Sequence, residues 1–358
     1  MLVAGEGSFT PRGQIVPLVL PAAAYAYGKH HRFRVVLPQG ENEMQQIIVP
    51  LDGSALAETI MPCAAMWART SGAALTLVMV VTPAHNLHPW PESTPLRARQ
   101  EWERAERDQA DAYLQGVAQR WAAPDLPLHW EVLIAEHIAE QIVMRAHTPD
   151  VAMIAMTTHG RSGWSEWAFG SIAQKVLHAA PVPLLLRRGR GDTSTATTTT
   201  PALRTILVPL DGSAFAEQAL PLAQQLAQAS NATLVLVAAV PPIGDMGLAL
   251  AGVEPMWMLA DSYATDDREK DYLNNIAQRV RATGITVHTC CMWDAPAQAI
   301  LRTSTEEGAD LVVMTTHGRT GVQRLWLGSV AHKVLHAADV PVLLVRAHAA
   351  STEEKATG

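Results

Sequence analysis

Ile47-Ile48-Val49-Pro50-Leu51-Asp52-Gly53-Ser54-Ala55 returns about 159 residues later as Ile206-Leu207-Val208-Pro209-Leu210-Asp211-Gly212-Ser213-Ala214. In each copy a short, continuously apolar, β-branched run stops at Asp-Gly-Ser. Such a run reads as a strand buried on both faces, the pattern of a parallel sheet. Ser54 and Ser213 stand where a helix N-cap would lie, so each copy opens as strand, turn and helix. A repeat this long is a whole domain, and the same fold is expected twice.

The alternation continues in both copies. Helical stretches reach to about Thr70 and Ser230, and Pro62 and Pro221 inside them should kink or restart the helix. Second strands are expected over 75–81 and 234–240, followed by long polar loops over 85–95 and 241–260, a length often used for lids or partner surfaces. Amphipathic helices follow over 101–121 and 266–282, then third strands over 129–133 and 285–290. Third helices span 138–146 and 296–305, with Pro296 in the first turn. Fourth strands cover 151–156 and 311–314, and fifth strands 182–186 and 340–345. Pro183 and Pro341 within the fifth strands place them at an edge or a pairing interface. Strands and helices alternating at these lengths imply an α/β fold, a parallel sheet with helices on both faces.

Composition bounds the function. With 358 residues, 48% of them apolar, the chain can bury two sizeable cores. A formal charge of −7 lacks the clustered basic residues of nucleic-acid binders, so no nucleic-acid partner is expected. Cys63, Cys290 and Cys291 make no disulfide framework, which fits a reducing, cytoplasmic setting. The apolar run 15–27 is short for a membrane span and is broken by Pro17 and Pro21, so no membrane association is expected. Residues 1–43 match nothing later and read as a poorly ordered extension, with Met44 a candidate natural start. Domain one is expected over 44–188, a flexible Gly/Ser/Thr-rich linker over 189–202, domain two over 203–347, and a tail over 348–358.

A second repeated stretch carries the chemistry. Thr157-Thr158-His159-Gly160-Arg161-Ser162-Gly163, then Gly170-Ser171, returns as Thr315-Thr316-His317-Gly318-Arg319-Thr320-Gly321, then Gly328-Ser329. Each copy joins a fourth strand to a helix N-terminus, where backbone N–H groups and the helix dipole can hold a phosphate. Gly160 and Gly318 permit close backbone approach. Ser171 has Gln174 three residues on, a capping-box spacing. In an open parallel sheet, ligands bind beyond the carboxyl ends of the strands where strand order reverses. Asp52 and Asp211, the ends of the second strands, and the Thr-Thr-His-Gly loops all converge there. A carboxylate repels phosphates but suits a ribose hydroxyl or the exocyclic amine of a base. The plainer alternatives are that the glycines only satisfy turn geometry and the aspartates only cap helices. His159 and His317 read as loop anchors rather than bases, because no nucleophile partner accompanies them. Neither G-x4-G-K-[ST] nor G-x-G-x-x-G is present, which argues against a Walker-type NTPase and a dinucleotide dehydrogenase.

Both copies resemble the universal stress protein domain, whose nucleotide-binding members carry G-x2-G-x9-G-[ST] after the fourth strand and an aspartate after the first. The resemblance covers residues 44–187 and 203–346. It implies two tandem Rossmann-like (adenine nucleotide alpha hydrolase-like) domains, each a five-stranded parallel open sheet with helices on both faces. It implies ATP or AMP as ligand, with or without Mg²⁺. In the first copy the implied nucleotide-binding positions are Pro50, Asp52, Val80, Val81, Thr157, Gly160, Gly170, Ser171 and Ile172. In the second they are Pro209, Asp211, Ala239, Val240, Thr315, Gly318, Gly328, Ser329 and Val330. The aspartates would contact adenine, the backbone near Val80, Val81, Ala239 and Val240 would pair with its edge, and the glycine-serine ends would hold ribose and phosphates. The sequence departs from the motif at its first glycine, which is Thr157 in one copy and Thr315 in the other. The resemblance further implies an intramolecular pseudo-dimer through the fifth strands, pairing of chains into a homodimer, and a regulatory or protective stress-response role. No catalytic residue is expected because no nucleophile partner is identifiable, and no metal ligand because His30, His31, His85 and His88 lack metal-ligand spacing. The alternatives are a nucleotide-free interaction scaffold and a slow ATPase.

Overall fold

The structure, a computed structural model, describes residues 45–83, 96–158, 169–189, 200–240, 256–316 and 327–346. The first strand, β1 (Gln46–Pro50), is an interior strand because Ile47, Ile48 and Val49 are buried on alternating faces. Gly53 then takes φ 83°, a left-handed conformation that costs a side chain dearly, and turns the chain through Asp52-Gly53-Ser54. Ser54 caps α1 (Ala55–Glu58), its Oγ accepting from the Ala57 N–H at 3.1 Å. Pro62 cannot donate within a helix but is tolerated in a first turn, so the chain restarts as α2 (Met61–Ser71). The first copy continues with β2 (Ala74–Val81), α3 (Leu96–Trp121), β3 (Leu128–Ile134), α4 (Ile138–Arg145), β4 (Val151–Thr157), α5 (Ser171–Ala179) and β5 (Leu184–Arg187).

The second copy repeats the plan as β6 (Thr205–Pro209), α6 (Ala214–Glu217), α7 (Leu220–Ser230), β7 (Thr233–Val240), α8 (Met256–Arg281), β8 (Val287–Trp293), α9 (Pro296–Glu306), β9 (Leu311–Thr315), α10 (Ser329–Ala337) and β10 (Val342–Val345). Gly212 again has a positive φ, 79°, and Ser213 again caps the short helix. Pro221 again lies in the first turn of the restarted helix.

Within each copy the strands are parallel, and β1 is flanked by β2 on one side and β4 on the other, as β6 is by β7 and β9. β5 and β10 then pair antiparallel, with Leu184, Leu185 and Leu186 opposite Leu344, Leu343 and Val342. The result is one ten-stranded sheet in the order β3-β2-β1-β4-β5-β10-β9-β6-β7-β8. Its two faces carry two cores that each run through both copies. One packs α2, α3, α7 and α8 against Ile47, Val49, Leu185, Ile206, Val208 and Leu343. The other packs α4, α5, α9 and α10 against Ile48, Ile154, Leu186, Leu207, Val312 and Leu344.

Four expectations change. Pro183 and Pro341 lie just before the fifth strands, where a missing N–H breaks no ladder bond, and their carbonyls accept from Ile154 and Val312. Ser171 is the first residue of α5 rather than its cap; Gly170 is the N-cap and no side chain caps it, so the Ser171–Gln174 box does not form. The long helices begin at Leu96 and Met256, earlier than expected, so the second long loop ends before residue 256. The third strands extend to Ile134 and Trp293. The first long loop, the extension 1–43, most of the linker, the tail, and the loops holding His159, Gly160, His317 and Gly318 lie outside the described residues. Among the described residues no helix is long and apolar enough to cross a membrane.

Candidate nucleotide site

Strand order reverses between β1 and β4 and again between β6 and β9, so the carboxyl ends of these strands flank an opening that no neighbouring strand fills. In the second copy this opening is a cavity of about 270 Å³. That lies just below the roughly 300–1,000 Å³ range of small-molecule pockets. Its floor is Pro209, Leu210 and Asp211 from the end of β6 and Met314, Thr315 and Thr316 from the end of β9. Val237 and Ala239 of β7 form one wall; Pro296, Ala299 and Ile300 of α9 form another; Gly328, Ser329, Val330 and Ala331 open α10 across from them.

The polar groups are few and placed by the local fold. Asp211 Oδ1 accepts from the Ser213 N–H at 3.0 Å and from Ser213 Oγ at 2.6 Å, and Ser213 Oγ in turn accepts from the Ala216 N–H at 3.1 Å. The same relay runs from Asp52 to Ser54 to Ala57, with distances of 3.0, 2.6 and 3.1 Å. Each aspartate therefore holds the serine that caps the helix and is not itself the cap. Among the described lining residues Asp211 is the one formally charged side chain.

Opposite it, α10 starts at Ser329 with Gly328 as an N-cap that supplies no side-chain acceptor. The first N–H groups of a helix have no intrahelical partner, and they carry the positive end of the dipole. Gly328 is held there by donating its N–H to the Thr316 carbonyl at 2.8 Å, while Thr316 donates to Val345 at 3.0 Å. Gly170, Thr158 and Arg187 make the corresponding pair of bonds at 2.8 and 2.9 Å. Thr158 and Gly170, and likewise Thr316 and Gly328, are thus held together beside the helix starts.

Of the expected second-copy positions, Pro209, Asp211, Ala239, Thr315, Gly328, Ser329 and Val330 come together on the cavity. Val240 is buried on the opposite side of its strand and does not line it. In the first copy Pro50 ends β1, Asp52 follows it, Val80 and Val81 end β2, Thr157 ends β4, and Gly170, Ser171 and Ile172 open α5. These are the corresponding places around the first reversal of strand order. Thr315 and Thr157, the departures from the glycine motif, are the buried last residues of their strands. Sequence reasoning missed the α9 wall of Pro296, Ala299 and Ile300. The one signal was Pro296 itself, which fixes where that helix begins but not what its first turns face.

The profile of the universal stress protein family matches residues 43–188 and 202–346. The chain belongs to the universal stress protein family. A universal stress protein of Methanocaldococcus jannaschii is 30% identical over 141 residues, covering 39% of this chain and 81% of that protein. A universal stress protein of Mycobacterium tuberculosis aligns through both copies, 24% identical over 309 residues, 84% of this chain and 96% of that protein. Among solved structures, a universal stress protein from Archaeoglobus fulgidus superposes with a TM-score of 0.60 at 19% identity, covering 88% of this chain and 98% of that one. At that identity the likeness speaks for the fold, here two universal stress protein domains in tandem.

Proposed function

We propose that each copy binds an adenine nucleotide, ATP or AMP, in the crevice where strand order reverses, and that the chain is a stress-response regulatory or protective module of the cytoplasm. The observation that carries this reading is the second-copy cavity, which sets one carboxylate, Asp211, across from the uncapped N-terminus of α10. A nucleotide has the matching polarity: phosphates for the helix end, and hydroxyl or amine donors for the carboxylate. The apolar remainder, Val237, Ala239, Ala299 and Ile300, suits the faces of a base. A Mg²⁺ ion arriving with ATP would be held by phosphates and water, since among the described residues Asp211 is the lone lining carboxylate and its Oδ1 already accepts two hydrogen bonds from Ser213.

The β5–β10 pairing supports reading the two copies as an intramolecular pseudo-dimer, with any association of whole chains built on other surfaces. Equilibrium dialysis with ATP and AMP tests the binding, comparing the wild-type chain with Ala239→Trp and Asp211→Ala. Ala239 is partly exposed on the cavity wall, so the larger ring fills the space without entering a core. Two equivalents bound by wild type and one by Ala239→Trp are expected. Undiminished binding in Ala239→Trp, or none in wild type, overturns the assignment and favours an interaction scaffold.

A further inference from the structure

Away from the crevices, the two copies meet at a histidine pair. His332 and His336 lie at i and i+4 on α10 and so share one face of the helix. Their Nε2 atoms are 3.2 Å apart, and their ring centroids 4.4 Å. Phe169 of the first copy, the residue before the N-cap of α5, rests against both rings, with centroids 4.4 Å from His336 and 5.6 Å from His332.

Two imidazole nitrogens bound to one tetrahedral ion at about 2.0–2.1 Å stand roughly 3.4 Å apart. The observed 3.2 Å is therefore close to the bite of a chelate. The same spacing lets the pair share a proton, but His332 is exposed, and there a hydrogen bond competes with water and contributes little. Phe169 packs both rings, so less side-chain freedom remains to be lost on coordination. The duplication does not explain the pair: the corresponding residues of α5 are Gln174 and His178, and there His178 Nδ1 bonds the Gln174 carbonyl at 2.7 Å.

We propose that His332 and His336 chelate a divalent transition ion of the imidazole-preferring class, Zn²⁺, Ni²⁺ or Cu²⁺, with water completing its coordination. Among the described residues no group of three or more His, Cys, Asp or Glu could hold a metal ion. Two protein ligands leave the ion open to exchange, unlike the closed four-ligand structural zinc sites. The ion would sit beside Phe169 at the junction of the copies, one to two helical turns beyond Ser329.

The intact chain is titrated with ZnCl₂ by isothermal calorimetry alongside His332→Gln, His336→Gln and the control His178→Gln. The chain has 14 histidines, so the control sets the background of scattered weak binding. One saturable equivalent in the micromolar range is expected in wild type and in the control, weakened at least tenfold in each α10 variant. Equal affinity in either α10 variant, or no saturable binding in wild type, overturns the proposal. Cu²⁺ electron paramagnetic resonance gives a readout that does not depend on affinity: coupling to two imidazole nitrogens in wild type and to one in each single variant. A wild-type spectrum with fewer than two overturns it as well.

Discussion

Leu185 and Leu343 stand directly opposite each other across the antiparallel β5–β10 pairing, and both are fully buried in the core that runs through the two copies. This contact makes the packing of one copy part of the packing of the other. Leu343→Ala deletes buried methylenes at a place with little room to collapse, and a loss of about 2–5 kcal/mol is expected. Because Leu185 loses its opposite neighbour, both copies should be weakened together. Urea unfolding followed at tryptophans of the first copy, such as Trp67 and Trp121, checks this; an unchanged first-copy transition would mean that the copies fold independently.

Asp211→Ala removes the acceptor that fixes Ser213, and with it the relay to the Ala216 N–H. Loss of about 1 kcal/mol of stability is expected from the hydrogen bonds. If the carboxylate also contacts the ligand, ATP affinity in the second copy falls at least tenfold while the first copy, with Asp52 intact, retains its own. Calorimetry on Asp211→Ala and on Asp52→Ala separates the two sites. Ser213→Ala distinguishes the roles: it loses the cap but keeps the carboxylate, so binding should survive.

The long helix of each copy is pinned to the short helix after the Asp-Gly-Ser turn by the same three residues. Tyr113 donates to Glu58 at 3.0 Å and Arg120 pairs with the other Glu58 oxygen at 2.5 Å; Tyr272, Glu217 and Arg279 repeat this at 3.2 and 3.1 Å. Burial, followed by the neighbouring glutamate, holds both phenols above the usual tyrosine range. A phenol whose folded pKa is raised stays protonated in the native state while the unfolded chain ionises. Its contribution is thus present below the ordinary tyrosine value near 10 and is lost as pH rises above it. Stability measured from pH 9 to 11 should fall, and the fall should shrink in Tyr113→Phe plus Tyr272→Phe.

Cys290 and Cys63 should react slowly with alkylating reagents for different reasons. Burial, then Glu307 and Glu306, push the Cys290 thiol up from 9.0 to about 11, while Cys63 is raised by burial against the opposing effect of Arg187. The thiolate is the nucleophile, so Cys290 alkylation should keep accelerating up to about pH 11. Glu307→Gln should move that rise to lower pH. Site-resolved mass spectrometry after an iodoacetamide pulse checks both.

Much of this was legible in the sequence because the deciding signals are local. Ser54 follows the Asp52-Gly53 turn at a capping position, and Pro62 must kink or restart a helix; each statement concerns a few adjacent residues. The repeat then doubled every local inference. What stayed hidden depends on residues distant in sequence. Ser171 and Gln174 have the spacing of a capping box, yet Gly170 takes the cap because its N–H is drawn to the Thr158 carbonyl. Ala299 and Ile300 look like core positions of α9, and only the placement of that helix over the strand ends turns them into a cavity wall. The pairing of Phe169 with His332 and His336 joins residues from separate copies, and no periodicity announces it.

The antiparallel β5–β10 junction also determines what a half-length piece of this chain would be like. Cut between the copies, each fragment would expose the backbone donors and acceptors of its fifth strand, flanked by buried leucines, as a bare template for any extended chain. In the intact protein that adhesive edge is satisfied by a partner on the same polypeptide, at an effective concentration that does not fall when the protein is scarce. The covalent link thus makes assembly independent of abundance and keeps a sticky strand out of reach of other chains from the moment the second copy folds.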